Sequence, residues 1–170
     1  MINLNNINRS DLASLRPDIQ KQWINENYIM FGYKIINHNG EREIQFCRNE
    51  MMKWVKEKYN LYNGLFFDGI LPNTDEEIIF IVTNSKKIKS LGSAYPSNPY
   101  KIRINFRYDL PEIEWEDTLI HEMIHIWEFV MGYSGGHGKT FKRKAKEINK
   151  YGWNIQGSYK NILIDIKDAE

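Results

Sequence analysis

One segment of the chain is apolar on nearly every side and still contains ionisable side chains. Its apolar residues are Leu119, Ile120, Met123, Ile124, Ile126, Trp127, Val130 and Met131. A helix that is apolar nearly all round is a buried helix. His121, Glu122 and His125 lie within it, and buried polar groups cost free energy unless they are paired. The segment therefore predicts a buried helix whose histidines and glutamate bind a partner.

The spacing of these three side chains indicates what the partner is. His121, Glu122 and His125 form the pattern H-E-x-x-H. Residues four apart lie on one face of a helix with their Cβ atoms about 5–6 Å apart, so two imidazoles can bind one metal ion. The glutamate between them lies near the ion without being a ligand and can act as a base. The pattern predicts a metal site of the hydrolase type.

A catalytic zinc ion usually has three protein ligands and one open position, so a third ligand is expected. His137 follows the end of the predicted helix, and its neighbours allow the chain to reverse and approach closely: they are Gly132, Gly135, Gly136 and Gly138. Glu128 and Glu147 are the acidic alternatives. Glu128 lies on the same helix as His125, and a third ligand from one helix would crowd the ion. The sequence favours His137.

Three separated motifs resemble the SprT-like metalloprotease domain family, to which the Spartan proteases of DNA–protein crosslinks belong. They are the stretch YNGLFFDGILP at 62–72, the HEMIH stretch at 121–125, and Gly136-His137-Gly138 followed by Phe141. Their types and order agree with the family over roughly residues 48–150. The resemblance implies an α+β, zincin-like fold, in which a small, mostly antiparallel sheet packs against helices that include the metal-binding helix.

The resemblance also implies a function and a set of site residues. It implies Zn²⁺ held by His121, His125 and His137, with Glu122 as the catalytic glutamate. The implied activity is hydrolysis of peptide bonds in protein substrates, including proteins associated with DNA. The alternative is a non-catalytic DNA- or protein-binding module with a structural zinc ion. A structural zinc site is usually closed by four ligands and has no use for Glu122, which favours the enzyme.

The predicted organisation is an N-terminal extension over 1–46 and one SprT-like domain over 47–170. The extension is expected to hold a helix over 10–30 and a hairpin over 33–46 with a turn at Asn39-Gly40. His38 beside that turn is expected at the surface. Cys47 is the single cysteine, so we expect no disulfide, no C-terminal zinc ribbon and a cytoplasmic protein. No apolar run reaches the ~18 residues of a membrane span.

Further elements follow from periodicity and turn residues. The predicted helices begin at 49, near Asp109 and at 140. The predicted strands cover 78–83, 91–95, 101–106 and 162–166, with 91–95 pairing with 101–106. The strand from Lys101 to Phe106 is expected to offer a free edge for an extended substrate peptide. Tyr95, Arg103 and Tyr133 are candidate hydrogen-bond donors to the transition state.

Charge is informative only in its distribution, because the net charge is +1. Residues 86–107 and 139–150 are rich in lysine and arginine, whereas residues 109–128 hold acids and no base. Two basic stretches on one face would form a footprint for a phosphate backbone. Two separate solvated faces are the alternative. DNA contact through these stretches is therefore expected chiefly because of the family resemblance.

Overall fold

A computed structural model describes residues 31–108, 110 and 112–157. The elements are β1 (Tyr33–His38), β2 (Glu41–Phe46), α1 (Arg48–Phe66), β3 (Ile78–Thr83), β4 (Gly92–Tyr95), β5 (Tyr100–Asn105), α2 (Glu112–Val130) and α3 (Lys139–Asn149). They agree in type and order with the elements predicted for these residues. The helix predicted over 10–30, the helix start at Asp109 and the strand over 162–166 lie outside the described residues.

The predicted hairpin is confirmed. β1 and β2 pair antiparallel from Tyr33 opposite Phe46 to the turn. Asn39 and Gly40 have φ values of 50° and 84°, and a type I′ turn requires positive φ at both central residues. The ring of Phe46 lies 6.1 Å from that of Phe106, so the hairpin packs on the same core as the rest of the chain. A domain boundary at residue 46 stays a prediction.

The second sheet has the strand order β3-β5-β4. β4 pairs antiparallel with β5, as predicted, whereas β3 pairs parallel with β5. The prediction that Lys101–Phe106 offers a free edge is wrong, because β5 is the central strand and both of its edges are paired. The edges of this sheet are β3 and β4.

One face of this sheet carries the core. Ile78 and Val82 of β3 and Ile102 and Ile104 of β5 are buried and share a face because side chains alternate along a strand. α1 and α2 contact the sheet. Between these layers lie the largest buried side chains, which include Trp115, Tyr59, Phe67 and Phe106. The other face carries Ser93, Tyr95, Lys101 and Arg103, none of which is buried.

The prediction that the H-E-x-x-H helix is buried is confirmed, because nearly every residue of α2 from Glu114 to Glu128 is buried. Its acidic first turns do not face solvent. Glu116 accepts hydrogen bonds from the Tyr62 hydroxyl at 2.5 Å and the Lys58 ammonium at 2.7 Å. These α1 partners satisfy the buried carboxylate, as a buried charge requires. Among the described helices, none combines the length and apolarity that crossing a membrane requires.

Candidate metal centre

Three histidine side chains meet at one point beside α2. The Nε2 atoms of His121 and His125 are 3.2 Å apart, and that of His137 lies 3.0 Å from the first and 3.1 Å from the second. His121 and His125 are buried, whereas His137 is exposed. The residues predicted from the H-E-x-x-H spacing and from the glycine-rich turn are therefore brought together. These three residues could bind a metal ion.

The hydrogen bonds at Nδ1 of His121 and His125 determine the tautomer of each ring, and therefore whether its Nε2 atom carries a hydrogen. The Nδ1 of His121 lies 2.7 Å from the carbonyl oxygen of Gln156. A carbonyl only accepts, so this Nδ1 carries the hydrogen. The Nδ1 of His125 lies 3.1 Å from a carboxylate oxygen of Glu128 and donates to it. Burial, and next the neighbouring His137, lowers the pKa of His125 to about 4, so this ring is neutral near pH 7.

In a neutral imidazole with hydrogen on Nδ1, Nε2 bears only a lone pair. Neutral His121 and His125 rings with hydrogen on Nδ1 would each present an Nε2 lone pair to the centre, with the two Nε2 atoms 3.2 Å apart. Such an arrangement is repulsive unless a cation lies among the rings. Bonds of 2.0–2.1 Å in a tetrahedral zinc site place two nitrogens about 3.3 Å apart. The separations found here are close to that value, so the donor set fits zinc.

His137 reaches the centre through the turn after α2. Gly135 in that turn has φ +76°, and a Cβ atom there would lie 2.0 Å from the Phe129 ring, so only glycine fits. Phe141 on the first turns of α3 supports all three imidazoles, with ring centroids 4.8–5.0 Å away. The turn and α3 together hold the third histidine against α2.

Glu122 is buried beside the histidines, with 6% of its surface exposed. Desolvation raises its pKa to about 8, and the positive charge of Arg103 opposes the rise. A Cβ atom on Gly92 of β4 would lie 2.9 Å from both Cγ and Oε1 of Glu122. No side chain or backbone group in the described part of the chain forms a hydrogen bond with this carboxylate. The carboxylate is therefore held by packing and is free to bond to another molecule.

The two acidic alternatives for a third ligand lie elsewhere. Glu128 contacts His125 at Nδ1, on the side of the ring away from the other histidines. Glu147 is exposed and pairs with the Lys144 ammonium at 3.4 Å. Neither carboxylate joins the three Nε2 atoms. The structure instead gives Glu128 the role of orienting His125.

The candidate transition-state donors occupy different places. Tyr133 is exposed, with its ring 5.9 Å from that of Trp127. Tyr95 and Arg103 lie together, because an Arg103 guanidinium nitrogen donates to the Tyr95 hydroxyl at 3.0 Å. The charge of Arg103 acts on the pKa of Glu122, so Arg103 lies within electrostatic reach of that carboxyl group. Among the described residues, Tyr133 forms no hydrogen bond or ring contact with the three histidines or with Glu122.

Two groups that help to form the metal centre could not be identified from the sequence. The carbonyl of Gln156 orients His121, but every residue has a carbonyl, so no side-chain pattern identifies it. Gly92 precedes Ser93 in a short strand, and its need for close packing appears only when β4 lies beside Glu122. The segment that carries Gln156 is held in turn, since the Ile155 N–H donates to the Asn149 side chain at 2.7 Å.

The two basic stretches do not expose all of their cations. Arg107 is buried, and so is Lys144, whose ammonium lies 5.1 Å from the Phe67 ring and 5.4 Å from the Trp127 ring. Lys144 therefore joins α3 to the core. The exposed cations of the second stretch are Lys139, Lys142, Arg143, Lys146 and Lys150. DNA contact stays a prediction.

Fold and site define a class of protein: an α+β domain in which a buried helix and a glycine-rich turn form a three-histidine centre that can hold a metal ion. A family model described as SprT-like family matches residues 55–166, well over half of the chain. The chain therefore belongs to the SprT-like family, as its motifs predicted. No curated protein and no solved structure matches it.

Proposed function

We propose that this protein is a zinc-dependent peptidase that hydrolyses peptide bonds in protein substrates. One observation carries the proposal: the Nε2 atoms of His121, His125 and His137 lie within 3.0–3.2 Å of one another, so the three side chains could bind one metal ion. Family membership and the neighbouring Glu122 support the peptidase over other zinc chemistry. We also propose that the fold is zincin-like, with His121, His125 and His137 as ligands of Zn²⁺.

Zinc, when bound, would lower the pKa of a coordinated water towards ~7 and polarise the scissile carbonyl. Glu122 is proposed to accept the proton of the attacking water and to deliver it to the leaving amine. Its raised pKa of about 8 would fall beside a divalent cation, because a nearby positive charge favours the carboxylate. A carboxyl group that titrates near neutrality can both accept and donate the proton.

The substrate is proposed to bind as an extended strand along β4. β4 has β5 on one side and no described strand on the other. Its first residue, Gly92, packs on Glu122, so a peptide paired with this edge would run past the proposed catalytic group. Hydrogen bonds to the backbone of an edge strand bind peptides with little demand on their sequence. This placement replaces the β5 edge expected from the sequence.

The test is cleavage of an unfolded protein and of a DNA-binding protein, with and without DNA, by wild type and Glu122→Gln, both loaded with zinc. We expect cleavage by wild type only, abolished by a chelator and restored by added zinc. Faster cleavage in the presence of DNA would place the substrates among DNA-associated proteins. Stoichiometric zinc without cleavage under any of these conditions would favour the non-catalytic module with a structural zinc ion.

A further inference from the structure

Beside the proposed substrate edge lies a guanidinium group that forms no ion pair with an acidic side chain of residues 31–108, 110 or 112–157. Arg103 projects from β5 on the outer face of the sheet. It donates to the hydroxyls of Ser90 at 2.9 Å, Ser93 at 2.8 Å and Tyr95 at 3.0 Å. Its Nε is buried without a hydrogen-bond partner in the described residues, and none of the ion pairs there includes this side chain. We call these four residues the Arg103 cluster.

The chemistry of the cluster is that of an incomplete anion site. An arginine has five N–H donors, and the hydroxyls accept from only some of them. All three acceptors are neutral, and no carboxylate among the described residues accepts a hydrogen bond from Arg103, whose charge acts on Glu122 only through a longer-range electrostatic interaction. Residues 86–107, which surround Arg103 in the sequence, contain no aspartate or glutamate that could pair with it. A carboxylate is the group that a guanidinium binds with short, charge-assisted hydrogen bonds.

The position of the cluster connects it to the proposed peptidase site. Ser93 and Tyr95 are the outward side chains of β4, and Ser93 lies opposite Arg103 in the register. The Ser93 hydroxyl also donates to the Gly92 carbonyl at 2.8 Å, and Gly92 packs on Glu122. The guanidinium is therefore fixed to the strand that adjoins Glu122.

A strand added to β4 would place alternate side chains on the outer face, beside Ser93 and Tyr95. These residues lie one and three positions from Gly92, a span of about 3–10 Å along a strand. Building on the proposed function, we propose that the Arg103 cluster is a specificity subsite for an acidic side chain of the substrate, within about three residues of the scissile bond.

A carboxylate fits this arrangement better than a nucleic-acid backbone does. A phosphate backbone is bound by several cations that follow its length, whereas here one guanidinium is surrounded by hydroxyls. Lys101 is the other cation of β5 on this face and lies opposite Tyr95 in the register. Lys101 forms no hydrogen bond with the three hydroxyls that hold Arg103, so it provides a matched control for the loss of a positive charge.

Two measurements test the subsite. The first maps cleavage sites in peptides from a digested proteome by mass spectrometry for wild type, Arg103→Gln, Arg103→Glu and Lys101→Gln. We expect wild type to favour Asp or Glu about tenfold at one position within three residues of the cut. Arg103→Gln should lose this preference, Lys101→Gln should keep it, and Arg103→Glu should prefer Lys instead. A reversed preference cannot result from misfolding.

The second measurement does not depend on cleavage. Fluorescence anisotropy compares binding of labelled alternating peptides, (Thr-Glu)₅ and (Thr-Gln)₅, to zinc-loaded Glu122→Gln protein with and without Arg103→Gln. Alternation places every Glu on one face, so one register presents them all to the cluster. We expect about tenfold tighter binding of the Glu peptide, lost in Arg103→Gln.

The outcomes separate the two proposals. If no peptide is cleaved but the Glu peptide still binds more tightly through Arg103, the subsite stands and the peptidase function fails. Equal binding of both peptides, or a preference that survives Arg103→Gln, overturns the subsite. So does a result in which Arg103→Gln weakens binding of a labelled oligonucleotide and leaves peptide preference unchanged, because the cluster would then bind phosphate.

Discussion

Gly92 and Glu122 are packed so closely that one added methyl group would collide with the carboxylate side chain. A Cβ atom on Gly92 would lie 2.9 Å from Cγ and Oε1 of Glu122, a distance that side chains do not tolerate. The edge strand and the metal-site helix therefore fix each other through this contact. Gly92 is a positioning residue for the proposed base, and its substitution tests that role.

We expect Gly92→Ala to lower kcat/KM by about 10–100-fold, because an error of ~1 Å in a reacting group has effects of this size. The zinc content should be unchanged, since the atoms nearest to the added Cβ belong to Glu122, which is not one of the proposed ligands. The control is Gly64→Ala on α1, where an added Cβ meets nothing within 4 Å. Full activity of Gly92→Ala, measured beside this control, would show that Glu122 does not depend on the contact.

The raised pKa of Glu122 predicts how the stability of the metal-free protein varies with pH. In the folded state, burial raises the pKa of Glu122 from its ordinary value of 4.5 to about 8. The stability contributed by this group is thus fully present below pH 4.5 and is lost as the pH rises through 8. Between pH 6.5 and 8 the free energy of unfolding should fall by up to ~1.4 kcal/mol per pH unit.

Urea unfolding with a chelator present, for wild type and Glu122→Gln, checks this slope. The variant has no charge to bury and should lack the Glu122 contribution. The lowered pKa of His125, about 4, acts at lower pH, and both proteins share it. If the free energy of unfolding varies with pH in the same way for both proteins from pH 6.5 to 8, Glu122 is not desolvated in the folded state.

The bond between His125 and Glu128 predicts an effect on metal affinity. The carboxylate accepts from Nδ1 at 3.1 Å, which orients the ring and makes Nε2 more basic. Loss of the hydrogen-bond acceptor of a metal-binding histidine typically weakens metal binding 10–100-fold. We expect Glu128→Gln to raise the zinc Kd by about that factor, measured by competition with a chelating dye. Glu57→Gln, an exposed change on α1, should leave the Kd unchanged, and equal Kd values for both variants would refute the role of Glu128.

The local elements were predictable because each has a short-range cause. Asn39-Gly40 permits the positive φ values of the hairpin turn, and the apolar run from Ile78 to Thr83 forms β3, of which Ile78 and Val82 are buried. The H-E-x-x-H spacing brought His121 and His125 to one face through helix geometry alone. His137 followed from the glycines that let the chain return.

Long-range relationships were not predictable in the same way. The central position of β5 depends on β3 pairing with it across more than fifteen intervening residues, and no local pattern encodes that choice. The edge expected on Lys101–Phe106 was wrong for this reason. The carbonyl of Gln156 and the hydrogen bonds of Arg103 likewise arise only when distant segments meet.

The most direct test of the central claim is the zinc content of purified wild type, Glu122→Gln and His137→Ala, measured by elemental analysis together with cleavage of an unfolded protein. We predict about one zinc per chain in the first two proteins, a large loss of zinc in the third, and cleavage by wild type alone. Absence of zinc from wild type after reconstitution, or full zinc in His137→Ala, would contradict the three-histidine centre.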